Sequence, residues 1–565
     1  MLNFKQELVK ILNKTLPLER EEIEKLIETP SDTSMGDLAL PCFILAKTMK
    51  KSPAVIAEEL AKTIDAKPYF DRWEATGPYL NFFYAPSVLM DTLVETIEAH
   101  GIEYGKSDEG KDKTVIVEYS SPNIAKPFHI GHIRSTLIGD ALYRIAQRLG
   151  YNAVGINHLG DYGTQFGMLI SAYKKWGNKE AIEANPIDEF LQLYVRYNKE
   201  GESDPSLREE AHQWFKKLEE NDEEAKKIWQ WMRDLSLREF EKVYNRLNIH
   251  FDSYNGEAFY QDKMPEVIQE LKDKKLLVED DGCEIVDLEP YQLTPLIIQK
   301  SNGTTTYATR DIAAAIYRKK TYDFHKNIYV VATEQNLHFK QWFKTIELMG
   351  YEWAKDLVHA AFGMVSMEGM SLSTRKGQVL YLEDVLNKAV EKTLELIEDR
   401  NPDLPEKVLV SEQVGIGAIK FQELYNQRIK DYVFNWDRTL SFEGETGPYV
   451  QYTYARTNSL IEKSGVKPKY DHLNSQLLTD EEITLLKLIY EIPEIIHESF
   501  VKYEPYFISR QIMEVAKAFN RYYYNCPILV DDEKTKLHRL AMVAMVKAVI
   551  KSQLSLLGIE TPERM

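Results

Sequence analysis

Residues 115–156 constrain the fold more than any other part of the chain. Val115, Ile116 and Val117 form a β-branched run, which favours a strand over a helix. Ile133, Leu137, Ile138, Ala141, Leu142, Ile145 and Leu149 then recur at helical spacing as one apolar stripe, and Gly150 supplies the stop. Ala153-Val154-Gly155-Ile156 is a second apolar run. This order predicts a β-α-β unit with parallel strands. Such units hold ligands at the carboxyl end of the first strand and the amino end of the helix, where this chain carries Lys126 and His129-Ile130-Gly131-His132. Unpaired backbone N–H groups and the helix dipole favour a phosphate there. Imidazoles at i and i+3 point from one face and can donate to phosphate oxygens, and Gly131 lets a flat base approach the backbone. Two histidines so spaced also describe an ordinary surface pair; the preceding strand and Lys126 favour a nucleotide site.

His129-Ile130-Gly131-His132 resembles the HIGH signature of class I aminoacyl-tRNA synthetases, which activate an amino acid with ATP. Four letters alone also suit nucleotidylyltransferases. The longer string Ser121-Pro122-Asn123-Ile124-Ala125-Lys126-Pro127-Phe128-His129-Ile130-Gly131-His132-Ile133-Arg134-Ser135 is similar to the arginyl-tRNA synthetases in particular. That resemblance covers essentially the whole chain. It implies an α/β fold: a Rossmann-like catalytic domain with an insertion, a small α/β N-terminal domain and a C-terminal all-α bundle. The expected division is 1–110 for tRNA-elbow (D-loop) binding, 111–385 for catalysis with an insertion over about 178–290, 386–440 as helical connector and 441–565 for anticodon binding. The implied reaction ligates L-arginine to tRNA(Arg) in two steps. ATP, with Mg²⁺ and without zinc, forms arginyl-adenylate, and the arginyl group then passes to the 3′-terminal ribose of tRNA. In this family, adenylate formation itself needs tRNA.

Composition fits a reduced cytoplasmic enzyme. The chain has 565 residues, 44% hydrophobic and 28% charged, with no long apolar run for a membrane span. Its first residues lack the apolar core of a secretory signal. Cys42, Cys283 and Cys526 are scattered without metal-ligand spacing. The net charge of −18 offers no overall basic footprint, so tRNA contacts are expected on particular faces only. The protein is expected to act as a monomer.

Along the chain, an amphipathic opening helix, a turn-rich loop at 30–37 and a second helix over 38–47 are predicted, followed by a strand at Tyr79–Tyr84. That strand reads first as an edge strand with core aromatics. Its resemblance to the family's N-terminal domain implies that Tyr79 stacks on an unpaired base and Asn81 bonds its edge. Asn157-His158-Leu159-Gly160-Asp161-Tyr162-Gly163 is a shaped loop after the second strand. Trp214, Phe215, Leu218, Ile228, Trp231, Leu235 and Val243 form a stripe expected in the core of long charged helices. Residues 276–286 read as a hairpin with an Asp281-Gly282 turn, and Asn302-Gly303 as another. Asn327–Ala332 reads as a buried strand. From Ser441 the chain is helical and carries 15 Lys+Arg against 17 Asp+Glu, so it is no basic arm. Tyr449 and Arg456, in this helical part, are expected tRNA contacts by resemblance.

A pocket for arginine must satisfy a planar fork of donors, which carboxylates and an aromatic face do best. Glu118 ends the first strand beside the ATP site; Tyr307 and Asp311 lie four apart at a strand-to-helix junction; Gln335 follows another strand. By resemblance these residues, with Asn123, bind arginine. Position alone favours an ordinary helix N-cap or first-turn acid at Asp311, and the family string around it reverses that toward binding. ATP is expected at Lys126, His129, Gly131 and His132, with Ser373, Arg375 and Lys376 from a second loop. The family's usual KMSKS lysines are absent from Gly369-Met370-Ser371-Leu372-Ser373-Thr374-Arg375-Lys376-Gly377. The polyphosphate still needs cations, and Lys126 is the first choice over Arg375 and Lys376. Lys126, His129 and His132 are thus the expected catalytic residues. Two other readings are a cysteinyl-type synthetase, which would want zinc ligands, and a silent tRNA-binding relative, supported only by the missing lysines.

Overall fold

A computed structural model describes residues 1–367 and 381–565. It divides into two compact units. Met1–Tyr104, Arg456–Pro493 and Glu514–Ser552 make one, and Gly105–Ala455, Glu494–Met513 and Gln553–Met565 the other.

The first unit opens with α1 (Phe4–Leu12) and α2 (Arg20–Leu26), then β1 (Leu38–Pro41), α3 (Leu45–Met49), α4 (Pro53–Thr63), β2 (Phe70–Thr76), β3 (Tyr79–Tyr84) and α5 (Pro86–His100). The strands form an antiparallel sheet in the order β1-β3-β2. β3 therefore lies in the middle, not at the edge expected of it. Residues 38–41 pair with it in the register Leu38↔Phe82, so the helix expected over 38–47 is a strand followed by the short α3. Pro41 would have broken such a helix, and pairing with a buried neighbour outweighs the helix preference of Leu and Ala. Phe4, Phe70 and Tyr84 pack ring to ring on this sheet, and Asp37 meets Lys487 at 2.6 Å within the same unit.

The second unit holds β4 (Thr114–Glu118), α6 (Ile133–Arg148) and β5 (Asn152–Ile156), the β-α-β unit expected from the sequence. Helices α7 (Thr164–Trp176), α8 (Lys179–Ala184), α9 (Pro186–Gly201), α10 (Ser206–Glu219) and α11 (Glu223–Arg246) follow. Of the expected core stripe, Leu218, Leu235 and Val243 are buried while Trp214, Phe215, Ile228 and Trp231 are only partly covered. After α12 (Met264–Asp273), β6 (Leu277–Asp280) and β7 (Cys283–Val286) form the Asp281-Gly282 hairpin, and β8 (Leu296–Gln299) adds a third antiparallel strand. The Asn302-Gly303 turn closes on a single bridge, Gln299↔Thr305, before the chain enters α13 (Tyr307–Tyr322). β9 (Lys326–Tyr329), α14 (Asn336–Leu348) and β10 (Leu357–His359) complete a parallel sheet in the order β10-β9-β4-β5. Ile116, Val154, Ile156, Ile312, Ile316 and Trp342 belong to one core cluster around it. Strands buried on both faces explain why β4 reads as an unbroken apolar run.

β11 (Val365–Met367) pairs in parallel with β12 (Tyr432–Phe434), which follows α15 (Leu382–Arg400) and α16 (Lys407–Leu424) and precedes α17 (Trp436–Thr439). The rest is helical: α18 (Gly447–Ser464), α19 (Asp480–Val501), α20 (Tyr506–Asn525) and α21 (Glu533–Leu556). Among the described residues no helix is long and apolar enough to cross a membrane.

Candidate active site

The loop from β4 to α6 is held in an unusual backbone path. Ser120, Ser121 and Ala125 all take positive φ, at 69°, 49° and 58°. Such angles cost energy in non-glycine residues and persist where surrounding bonds enforce them. Here Ser120 N–H donates to Ser135 Oγ, Ser121 N–H to Asn157 Oδ1 and Ala125 N–H to Ser236 Oγ. Asn123 bridges to Gly160, and a Cβ on Gly160 would stand 2.2 Å from Asn123 Oδ1. The glycine of the 157–163 loop is thus what admits Asn123.

At the helix start, the His129 and His132 rings lie 4.0 Å apart between centroids. Gly131 N–H donates to His129 Nδ1 at 3.1 Å. A neutral ring that accepts at Nδ1 carries its proton on Nε2, so His129 offers a donor there. A Cβ on Gly131 would lie 2.8 Å from the His129 ring. That glycine therefore makes room for the imidazole itself as well as for any nucleotide. Burial lowers the pKa of His129, and burial with the neighbouring His129 charge takes His132 down to about 3. Lys126 is half-buried, its ammonium 5.7 Å from the Tyr194 ring of α9, and burial lowers its pKa. Ser373, Arg375 and Lys376 lie outside the described residues.

Two positions after the second histidine, Arg134 is fully buried. Its Nε donates to Glu423 at 2.6 Å and its Nη1 to the carbonyls of Gly363 and Lys430, both at 2.8 Å. Tyr432 donates to the other Glu423 oxygen.

The residues expected around arginine gather on β4, α13 and the start of α14. Glu118 is buried, and its carboxylate lies 2.5 Å from Arg318 of α13, so it is already matched by a guanidinium. Asp311, one helical turn after Tyr307 and two turns before Arg318, meets His338 Nε2 at 2.6 Å. Tyr307 is 68% exposed at the rim. Gln335 ends a short turn at Thr333–Gln335, just ahead of α14. Burial lowers the pKa of His158, and the charges of Glu118, Arg318, Asp311 and Asp161 all reach it, which marks these groups as one cluster. Two further ion pairs belong to it: Glu257 with Arg310 at 3.2 Å and Asp161 with Arg233 at 3.1 Å. Arg310 also sits over the Tyr162 and Tyr307 rings. Burial pushes the Glu257 carboxyl up to about 7 against the pull of Arg310, with Asp311 and Asp161 adding to the rise.

Arg318, His338, Glu257 and Arg310 were not singled out from sequence. His338 stands three residues after Gln335 and Arg318 seven after Asp311, helical spacings that point to shared faces. Nothing local signals Glu257.

Of the expected tRNA contacts, Tyr79 is partly exposed and stands edge-on to Phe43. Asn81 is 2% exposed, so a base edge reaches it only if the side chain or its cover shifts. Tyr449 lies partly covered in the first turn of α18. Arg456 bonds Asn520 and lies 4.9 Å from the Tyr523 ring of α20, beside Tyr524, which is 87% exposed.

The parallel sheet and its histidine-bearing helix fit the family model of class I (R) tRNA synthetase catalytic domains, which matches residues 93–436. A DALR anticodon binding domain matches 450–565 and an arginyl-tRNA synthetase N-terminal domain matches 2–84. The chain is 58% identical over the whole of both sequences to an arginine–tRNA ligase of Halothermothrix orenii. It is 53% identical to one of Clostridioides difficile, over 97% of each. The solved arginyl-tRNA synthetase of Plasmodium falciparum superposes with a TM-score of 0.81 at 25% identity, over 100% of this chain and 98% of that one. That of Thermus thermophilus shares the fold at a TM-score of 0.82, 24% identical over 99% of each. By class this is a class I aminoacyl-tRNA synthetase. Within that class the chain belongs to the arginyl-tRNA synthetase family.

Proposed function

We propose that this chain charges tRNA(Arg) with L-arginine at the expense of ATP, as the names of its relatives indicate for those proteins. The observation that carries the choice of amino acid is the charge balance around α13. Glu118, Asp161 and Glu257 each have a guanidinium of the chain beside them, while Asp311 has only an imidazole. Asp311, the one of these four without a guanidinium beside it, is the carboxylate left for an incoming one. Asp311 is the direct partner of the substrate side chain, Tyr307 the aromatic face at the rim, and Asn123 and Gln335 the partners of its amino-acid end. Glu118 acts through Arg318, which fixes one side of the pocket.

In the first step an oxygen of the arginine carboxylate attacks the α-phosphorus of ATP, the bond to the β-phosphate oxygen breaks, and pyrophosphate leaves. The substrate is its own nucleophile, so no general base is required. Neutral His129 donates from Nε2 to phosphate oxygens as charge builds, His132 supports it, and the amino end of α6 adds its dipole. Lys126 is the proposed cation for the leaving pyrophosphate. Mg²⁺ is proposed to enter with the nucleotide as part of the substrate. In the second step a hydroxyl of the terminal tRNA ribose attacks the arginyl carbonyl, loses its proton, and AMP departs. Tyr79 and the exposed α20 tyrosines are the proposed tRNA-facing aromatics.

Charging of tRNA(Arg) with labelled arginine tests the reading: acid-precipitable arginine should accumulate only with ATP present. Accumulation of a different amino acid, or none at all, would reject it.

A further inference from the structure

Asp311 differs from the other carboxylates of its cluster in its partner. His338, the third residue of α14, approaches it at 2.6 Å through Nε2, and both side chains are only about one quarter exposed, at 25% and 28%. An ionised carboxylate only accepts hydrogen bonds, so the ring proton sits on Nε2 and points at Asp311. One such bond fixes the carboxylate and leaves most of its acceptor sites open.

The charge on that partner then decides what the pocket binds. Glu118, Asp161 and Glu257 each lie beside a permanently charged guanidinium, from Arg318, Arg233 and Arg310. Asp311 alone of these four has an imidazole and no guanidinium beside it, so its negative charge has no permanent counter-charge. A guanidinium brought into a half-buried site needs such a charge, because its desolvation is otherwise uncompensated. The amino end of α14 also repels a positive charge placed in its first turn.

We propose that His338 is a positioning residue that determines specificity: a donor without a permanent charge that orients Asp311, so that the pocket selects a cationic side chain over an uncharged one of the same shape. The proposal rests on the reading that this pocket takes arginine.

The full-length enzyme with tRNA(Arg) and ATP provides the test. His338→Gln keeps an N–H near the position of Nε2 and cannot become a cation. It should hold KM for arginine within about threefold. His338→Lys places a permanent charge beside Asp311. It should raise KM for arginine by about 30-fold, with kcat and KM for ATP changed less than about threefold. Citrulline, the uncharged isostere, should compete poorly against the native enzyme, and its Ki relative to the KM for arginine should fall at least about tenfold in the lysine variant. Equal effects of the two substitutions on KM for arginine would overturn the proposal, as would an unchanged citrulline ratio. If the lysine variant does not fold, the His338→Gln and His338→Ala pair decides. Alanine should raise KM for arginine and glutamine rescue it, and failure of glutamine to rescue overturns the proposal. A native enzyme that charges no arginine would instead reject the pocket assignment.

Discussion

Gly131 donates its backbone N–H to Nδ1 of His129 at 3.1 Å, and this bond fixes the imidazole tautomer at the ATP end of the site. The same histidine is both a helix cap and the proposed phosphate donor, and substitutions can separate the two. His129→Asn retains an acceptor for the Gly131 amide but has nothing at the place of Nε2. It should keep its thermal stability and lose about 10² in kcat. His129→Gln should do the reverse in part, losing about 1 kcal/mol of cap energy while retaining more of the rate. Melting curves alongside steady-state charging would read both.

Lys126 is the proposed cation on the polyphosphate, half-buried and close to Tyr194. Lys126→Ala should lower kcat for adenylate formation by about 10²–10³, and Lys376→Ala by less than about tenfold. Single-turnover adenylate formation separates this step from transfer. The reverse order would move the role to the second loop.

Glu257 gives a signed pH dependence. Its carboxyl rises from 4.5 to about 7 on folding, chiefly through burial. The folded chain therefore holds a proton there that the unfolded chain releases. The resulting stability is fully present below pH 4.5 and is lost as pH rises through about 7. Glu257→Gln mimics the protonated carboxyl and should change Tm little near pH 5.5. Between pH 5.5 and 8 its Tm should fall less steeply than that of the native protein, measured by scanning fluorimetry in matched buffers. His132 has the opposite sign: its depressed pKa contributes stability above 6.5, lost as pH falls toward about 3.

The Arg134–Glu423 pair lies fully buried behind the histidine helix. Glu423→Gln leaves that guanidinium with a neutral partner and should cost about 3–5 kcal/mol. The double substitution Arg134→Met with Glu423→Leu should recover a substantial part of the loss, because two apolar side chains need no charge compensation. Denaturant unfolding of the single and double variants checks this.

What was legible in the sequence was local. β4, α6 and β5 announce themselves because a β-branched run, a helical stripe and a second apolar run each declare their period within a few residues. The Asp281-Gly282 turn did so too, since the hairpin's chemistry is carried by two residues. What depended on distant partners was not legible. Residues 38–41 favour a helix until β3 lies beside them, and β3 itself looked like an edge until it had neighbours on both sides. The pairing of Glu118 with Arg318 joins residues two hundred apart, and on the proposed reading Glu118 acts through that guanidinium. By position alone Asp311 favoured a helix cap or first-turn acid. The partners around it set it apart as the carboxylate with an imidazole and no guanidinium beside it.

One cleft is proposed to take ATP at the histidine helix and arginine at Asp311, with tRNA as the acceptor. The most direct measurement is ATP–pyrophosphate exchange over all twenty amino acids, each with and without tRNA(Arg). Exchange supported by arginine alone, and only when tRNA is present, is the predicted result. Exchange driven by another amino acid, or arginine exchange that Asp311→Asn leaves untouched, would contradict it.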